Sequence, residues 1–248
     1  MQLPSVIGSR DNDQDSIDLL GIFGSLIDQK WLIGAFTGAF MAAGDRVFVT
    51  IRGVGGHAAR PHLAVDPLVA AAAVVTGLQT VVSRNVNPAE TAVVTVGRLR
   101  AGDALNVIPD TAELGISVRS FSTGVRALLR QRITELITGI AQAHGAQAEI
   151  DYVEGYPVLN NDPEAVALAV QVATDLVGAD AVEREHPQLT GSEDFAYLLQ
   201  ACPGALVRIG NGSAEGGRGL HNPRYDFNDA NLPYGAAFWS QLAQRYLQ

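Results

Sequence analysis

Arg46-Val-Phe-Val-Thr-Ile-Arg-Gly-Val-Gly-Gly-His-Ala-Ala-Arg-Pro-His62 is the stretch on which the fold turns. Val47, Val49 and Ile51 alternate with Phe48, Thr50 and Arg52, the period of a strand with one buried face. A glycine-rich turn, Gly53 to Gly56, ends it. Asp66-Pro67 then opens an alanine-rich stretch running to about Ser83. Asp is a good N-cap, and Pro suits the first helical position.

Two strands follow. Thr91 to Leu99 is β-branched, and Thr111 to Arg119 puts Ala112, Leu114, Ile116 and Val118 on one face. Ser122 or Thr123 caps a long helix. Its apolar positions, Val125, Leu128, Leu129, Ile133, Leu136, Ile137 and Ile140, fall at helical spacing, and Gly145 ends it. Ala148, Ile150 and Tyr152 make a last strand. Residues 46–155 therefore read as one unit, strand–helix–strand–strand–helix–strand, the ferredoxin-like βαββαβ order.

Outside that unit the pattern is weaker. Residues 1–45 form an atypical leading segment, with a helix expected at most from Ser16 to Ile27. Gly155 to Asn161 has linker composition. Asp162-Pro163 caps a helix ending near Gly178, and Ser192 is expected to cap a short helix through Gln200. Ala205 to Ile209 reads as a strand, Asn211 to Gly219 as a glycine loop and Asn231 to Leu247 as a terminal helix. Residues 156–248 thus read as part of an α/β layer with too few strands for a sheet of their own.

The 248 residues are 47% hydrophobic and 17% charged, which excludes a disordered chain. A net charge of -9 without a basic stripe argues against nucleic acid as partner. The apolar run Trp31 to Gly44 is too short for a bilayer span, so no membrane partner is expected and a cytoplasmic location is the default. Cys202 is the only cysteine, which rules out an internal disulfide; a buried turn residue is expected there.

Of the five histidines, His144 suits a helix end and His186 a polar loop. His57 and His62 sit in a loop of glycines and small residues, where backbone can approach a ligand. Asn106, just before the strand Thr111 to Arg119, and Arg119, at that strand's far end, could join them to hold a carboxylate, with Arg as a bidentate clamp. Turn chemistry for Asn106 and a surface ion pair for Arg119 are the alternatives. Glu193 and Asp194 would complement a helix dipole. His221 alone is a weak metal-ligand signal, since a site needs three or four ligands.

Taken in order, Gly-Gly-His57-Ala-Ala-Arg-Pro-His62, Asn106-Val-Ile-Pro, Gly-Ser192-Glu193-Asp194-Phe and Leu-His221-Asn-Pro-Arg-Tyr-Asp-Phe are more specific. Together they resemble the M20 metallopeptidase family, in its amidohydrolase branch of hippurate hydrolases, N-acyl-amino-acid deacylases and auxin-conjugate hydrolases. The resemblance is seen from Gly34 onward and not in residues 1–33. It implies a partial catalytic α/β domain carrying an inserted ferredoxin-like lid that makes a homodimer. It implies hydrolysis of small N-acyl amino acids with two divalent ions, zinc or manganese. By position, His57 resembles the lid histidine that serves the oxyanion, Asn106, Arg119 and His62 the substrate contacts, and His221 the last metal ligand. Glu193 and Asp194 match a strip beside the metals.

The family's other ligands and its general base lie upstream of the lid, in an Asp strand-end motif, a Cys-Gly-His motif, a Glu-Glu pair and a further histidine. None of these occurs here. The expectation is an N-terminally truncated amidohydrolase, with residues 1–33 of other origin, that does not bind both metals by itself. The alternative is a non-catalytic dimerisation or binding module built on the lid.

Overall fold

The computed structural model describes residues 33–34, 38–212 and 222–248. The proposed helix from Ser16 to Ile27 and the ligand candidate His221 lie outside them.

The strands are β1 (Ile33–Gly34), β2 (Gly38–Met41), β3 (Ala43–Arg52), β4 (Gly56–His57), β5 (Ala92–Ala101), β6 (Val107–Ile108), β7 (Thr111–Ser120), β8 (Gln147–Val153), β9 (Leu159–Asn161), β10 (Val182–Glu183) and β11 (Arg208–Ile209). The helices are α1 (Pro67–Asn85), α2 (Thr123–Ala143), α3 (Pro163–Val177), α4 (Phe195–Ala201) and α5 (Leu232–Tyr246). The chain is a mixed α/β protein.

Its largest sheet runs β5-β7-β3-β8, with every neighbouring pair antiparallel. With α1 after β3 and α2 after β7, this is the split βαβ arrangement that the alternation predicted. Strand β3 begins at Ala43, four residues before the first alternating position, Val47. Its pairing with β7 continues through Gly44↔Arg119 and Ala43↔Ser120.

The alternation translates directly into a one-sided core. Val47, Val49, Ile51, Ala112, Leu114, Ile116 and Val118 are buried under Val74, Leu78 and Val81 of α1 and Leu129, Ile133 and Ile137 of α2. The opposite face of the sheet is open to solvent, and Phe48 is part-exposed there with the Arg98 guanidinium 5.8 Å from its ring centre. Helix α1 is apolar and long enough to cross a membrane by length and composition, but its Ala70, Ala71, Val74, Leu78 and Val81 form part of this core. The caps form as expected. Asp66 accepts from the N–H groups of Leu68 and Val69, Ser122 from Val125 and Asp162 from Ala165, while Gly145 closes α2 at φ 74°.

The rest has two smaller cores. In one, Ala169, Val172, Ala173 and Val177 of α3 meet Tyr234 and Phe238 of α5 beside β1, β10 and β11. In the other, Phe40, Leu159 and Ala196 close up around the β2–β9 pair. Phe227, Leu232 and Trp239 stay largely exposed in this half.

Four expectations need correction here. The stretch from Gly155 is not wholly linker, because Leu159–Asn161 pairs with β2. The strand expected over Ala205–Ile209 shortens to Arg208–Ile209. Cys202 is exposed, at the C-cap of α4. Helix α4 starts at Phe195, so Glu193 and Asp194 precede it, and Ser192 does not cap it.

Candidate active site

His57 stands on a clasped loop at one end of the large sheet. Strand β4 pairs with β6, placing His57 opposite Val107 and Gly56 opposite Ile108. The Ala58 N–H donates to the Asn106 carbonyl at 3.0 Å, and the Arg60 N–H to the His57 carbonyl at 2.8 Å. The structure therefore brings His57 and Asn106 together, as the sequence suggested. His62 follows in a single 3₁₀ turn, Pro61–Leu63, and is exposed like His57. The His57 ring is itself anchored, since its Nδ1 accepts the Ala59 N–H at 3.0 Å.

Arg119 is elsewhere. It lies opposite Gly44, while the His57 loop springs from the Arg52↔Thr111 end of the same ladder. Eight residues of strand separate the two ends, roughly 26 Å at the usual rise. Arg119 and His57 of one chain therefore cannot clamp a single small ligand, and the expectation that they meet is corrected.

Arg119 meets the other motif instead. Its Nη1 donates to Ser192 Oγ at 2.6 Å, which puts the guanidinium beside the Glu193–Asp194 strip. Ser192 is held there because the Ala42 N–H donates to the carbonyls of both Leu189 and Gly191, and the Leu189 N–H donates to the Phe40 carbonyl. Room for the guanidinium comes from Gly44, where a Cβ would stand 2.1 Å from Arg119 Nη1 and 2.8 Å from Ser192 Oγ. Gly44→Ala is expected to push Arg119 off Ser192, lowering stability by only about 1 kcal/mol because the obstructing atoms end a flexible side chain. A crystal structure of the variant with Arg119 still on Ser192 would contradict this.

A second group that sequence reasoning missed ties this end together. Asp45 is buried and accepts from Arg126 Nε at 3.0 Å and Nη2 at 2.5 Å, from the Gly155 N–H at 2.9 Å and from the Tyr152 hydroxyl at 3.2 Å. Burial is the largest single influence on this carboxyl and pushes its pKa up. The hydrogen bonds from Arg126, Gly155 and Tyr152, with the Arg126 charge, outweigh it and leave the pKa below its ordinary value. The Arg126 guanidinium is raised in turn, chiefly by its hydrogen bond to Asp45. Burial, then the Asp45 charge, raise the Tyr152 hydroxyl, so it stays a donor through the neutral range. The Gly155 carbonyl accepts from both Arg126 and the Tyr197 hydroxyl, bonding the junction to α4.

Metal ligation is a different matter. Among the described residues, no three His, Cys, Asp or Glu side chains are grouped so that they could hold a metal ion. Glu193 and Asp194 do not form such a site, and His221 lies outside the described residues. The segment after it is fixed, since Asn211 donates to the Asp226 carbonyl and accepts the Asn228 N–H at the end of β11. The donor set described does not fit a dinuclear centre.

The chain thus carries a mixed α/β fold with two residue clusters, one around His57 and one around Arg119. It belongs to peptidase family M20/M25/M40, whose family model matches residues 72–245. It is 38% identical over 226 residues to the hippurate hydrolase of Campylobacter jejuni, a match covering 91% of this chain and 57% of that one. Against the N-acetyl-L-cysteine deacetylase of Bacillus subtilis it is 34% identical over 238 residues, 96% of this chain and 56% of the relative. The crystal structure of the Bacillus subtilis YXEP protein, a dinuclear metal binding peptidase from the M20 family, superposes with a TM-score of 0.70. That match has 29% identity and covers 87% of this chain and 54% of the other. The chain spans a little over half the length of these relatives. With 238 of 248 residues matched, the likeness also reaches into residues 1–33, where the motifs had shown none.

Proposed function

We propose that the chain is the lid-bearing part of a metal-dependent amidohydrolase that cleaves the amide bond of small, hippurate-like N-acyl amino acids. In this reading residues 46–155 are the lid, with β3 extending it back to Ala43, and residues 156–248 belong to the catalytic domain. His57 donates a hydrogen bond to the oxyanion that develops at the amide carbonyl. Arg119 receives the substrate carboxylate. Asn106 and His62 line the substrate near His57. His221 contributes one metal ligand, with Glu193 and Asp194 beside it. Two divalent ions, zinc or manganese, supply Lewis acidity and an activated water in enzymes of this type. The described donors of this chain do not fit such a centre.

The observation that carries the reading is the separation of His57 from Arg119 along one ladder. A histidine on a loop beyond the far end of a ladder roughly 26 Å long is out of reach of a small ligand held by Arg119 of its own chain, and suits another copy's site. It supports a homodimer through the lid, with His57, Asn106 and His62 of one copy facing Arg119 of the other. Exposed Val54, Leu63, Leu105 and Val107 around the His57 loop suit docking against a partner. The free thiol of Cys202 suits a reducing compartment, and we place the protein in the cytoplasm.

The donor set favours a second reading for the chain acting by itself, as a dimerising or binding module without turnover. One experiment separates the two. Purified chain is equilibrated with zinc or manganese, its metal content and light scattering are measured, and hippurate hydrolysis is assayed. A homodimer at micromolar concentration is expected, with fewer than two tightly held ions per chain and no turnover. A monomer would overturn the shared site. Two bound ions, or hydrolysis abolished by His57→Ala, would overturn the claim that the site is incomplete.

A further inference from the structure

A histidine donates a hydrogen bond to an oxyanion only if its proton sits on the outward nitrogen. His57 Nδ1 accepts the Ala59 N–H at 3.0 Å. A ring nitrogen that accepts carries no proton, so the neutral ring carries it on Nε2. The geometry behind that contact leads back to Asp110. The Gly53 N–H donates to the Asp110 carbonyl at 2.9 Å, and the Gly55 N–H donates to Asp110 Oδ1 at 2.9 Å. A Cβ on Gly55 would lie 2.7 Å from the Ile108 carbonyl oxygen and 2.9 Å from Asp110 Oδ1, so the turn is pressed against this residue. The next residues, Gly56 and His57, are the ones that pair with β6. One residue thus grips the turn twice, through backbone and side chain, just before the chain presents the imidazole.

We propose that Asp110 is a positioning residue that holds His57 as its Nε2–H tautomer by fixing the Gly53–Gly56 turn, presenting one outward N–H to a carbonyl oxygen or oxyanion. The proposal rests on the reading of His57 as a hydrogen-bond donor and adds what sets its proton. Asp110 touches no substrate and acts through the loop. The carboxylate oxygen, not its charge, makes the contact, so Asn can replace it and Ala cannot.

The test is long-range ¹H–¹⁵N NMR of the histidine rings in the full chain, in their neutral form, with His57→Gln assigning the signal. The wild type is expected to exceed the Nε2–H preference of a free histidine by roughly fivefold, the worth of one net hydrogen bond. Asp110→Ala brings the ratio down toward that of a free histidine, with methyl resonances of the β3–β7 core unmoved, and Asp110→Asn restores the wild-type ratio. Should Asp110→Ala fail to fold, Gly55→Ala, which drives a methyl at the same carboxylate, must shift the ratio in the same direction. A wild-type His57 protonated on Nδ1 overturns the proposal, as does a wild-type ratio in the variant that folds. None of these readouts uses turnover, so a chain without hydrolytic activity leaves the proposal standing. An active chain whose His57 is protonated on Nδ1 defeats it alone.

Discussion

Asp45→Ala is expected to lower the unfolding free energy by about 3 kcal/mol, at the lower end for breaking a buried ion pair, because Arg126 is partly exposed. The side chain of Asp45 is 2% exposed and that of Arg126 is 18% exposed, so deletion strands a cation that water reaches only in part. It also strands the Gly155 N–H and the Tyr152 hydroxyl. Asp45→Asn keeps acceptor capacity and removes the charge, so a smaller loss is expected, about half as large. Urea unfolding followed by circular dichroism reads both. Equal losses in the two variants would show that charge is the whole effect.

The same carboxylate gives the pH dependence its sign. Its folded pKa lies below the ordinary 3.8. A carboxyl depressed on folding contributes stability that is complete above the unfolded value and disappears as pH falls through the folded one. The gap between wild type and Asp45→Asn should therefore be constant from neutrality to about pH 5 and close below 3.8. A gap that widened on acidification would contradict the assignment.

Asp45 also marks where sequence reading stops. The large sheet was legible because alternation along β3 and β7 and the stripe along α2 each report burial on one face, and because Asp66, Ser122 and Asp162 cap locally. A buried aspartate within an alternating strand carries no local sign of its partners, which come from α2, β8 and the junction. The short strands were invisible for a related reason. Those of two to four residues exist only through distant partners and show no period. Asn161 illustrates this: in the sequence it looks like a turn former, yet it is buried, accepts the Leu206 N–H and donates to the Leu206 carbonyl. In the candidate site, motif order brought out His57, His62 and Asn106, while Arg119 was singled out by its place at a strand's end. Their grouping failed because Arg119 sits at the far end of its strand. Ser192 looked like a helix cap until the Arg119 contact gave its hydroxyl another partner. Asp110, directly after Asn-Val-Ile-Pro, was within reach of the sequence had the glycine turn been asked what holds it.

Leu129→Ala and Phe238→Ala are expected to cost about 3 and about 4 kcal/mol, but in different places. Both side chains are essentially buried, at 0% and 1% exposure. Leu129 belongs to the core between the large sheet and its two helices, and Phe238 to the smaller core of α3 and α5. The two clusters share no residue. What joins the halves is the Arg119–Ser192 hydrogen bond, the Tyr197 hydroxyl on the Gly155 carbonyl, the Gly44 N–H on the Tyr156 carbonyl and the two chain crossings beside them, braced from one side by the Asp45 network. That connection is mostly polar and small beside either core, so it transmits only part of a core's loss. Native-state hydrogen exchange should therefore show Leu129→Ala lowering protection along β3 and β7. Phe238→Ala should release α3 and α5 while β7 keeps nearly its full protection. If Phe238→Ala lowered β7 as far as Leu129→Ala does, the halves would unfold as one unit. The junction at Gly155 would then be a rigid coupling, and the large sheet with its two helices could not move independently of the layer that carries Ser192.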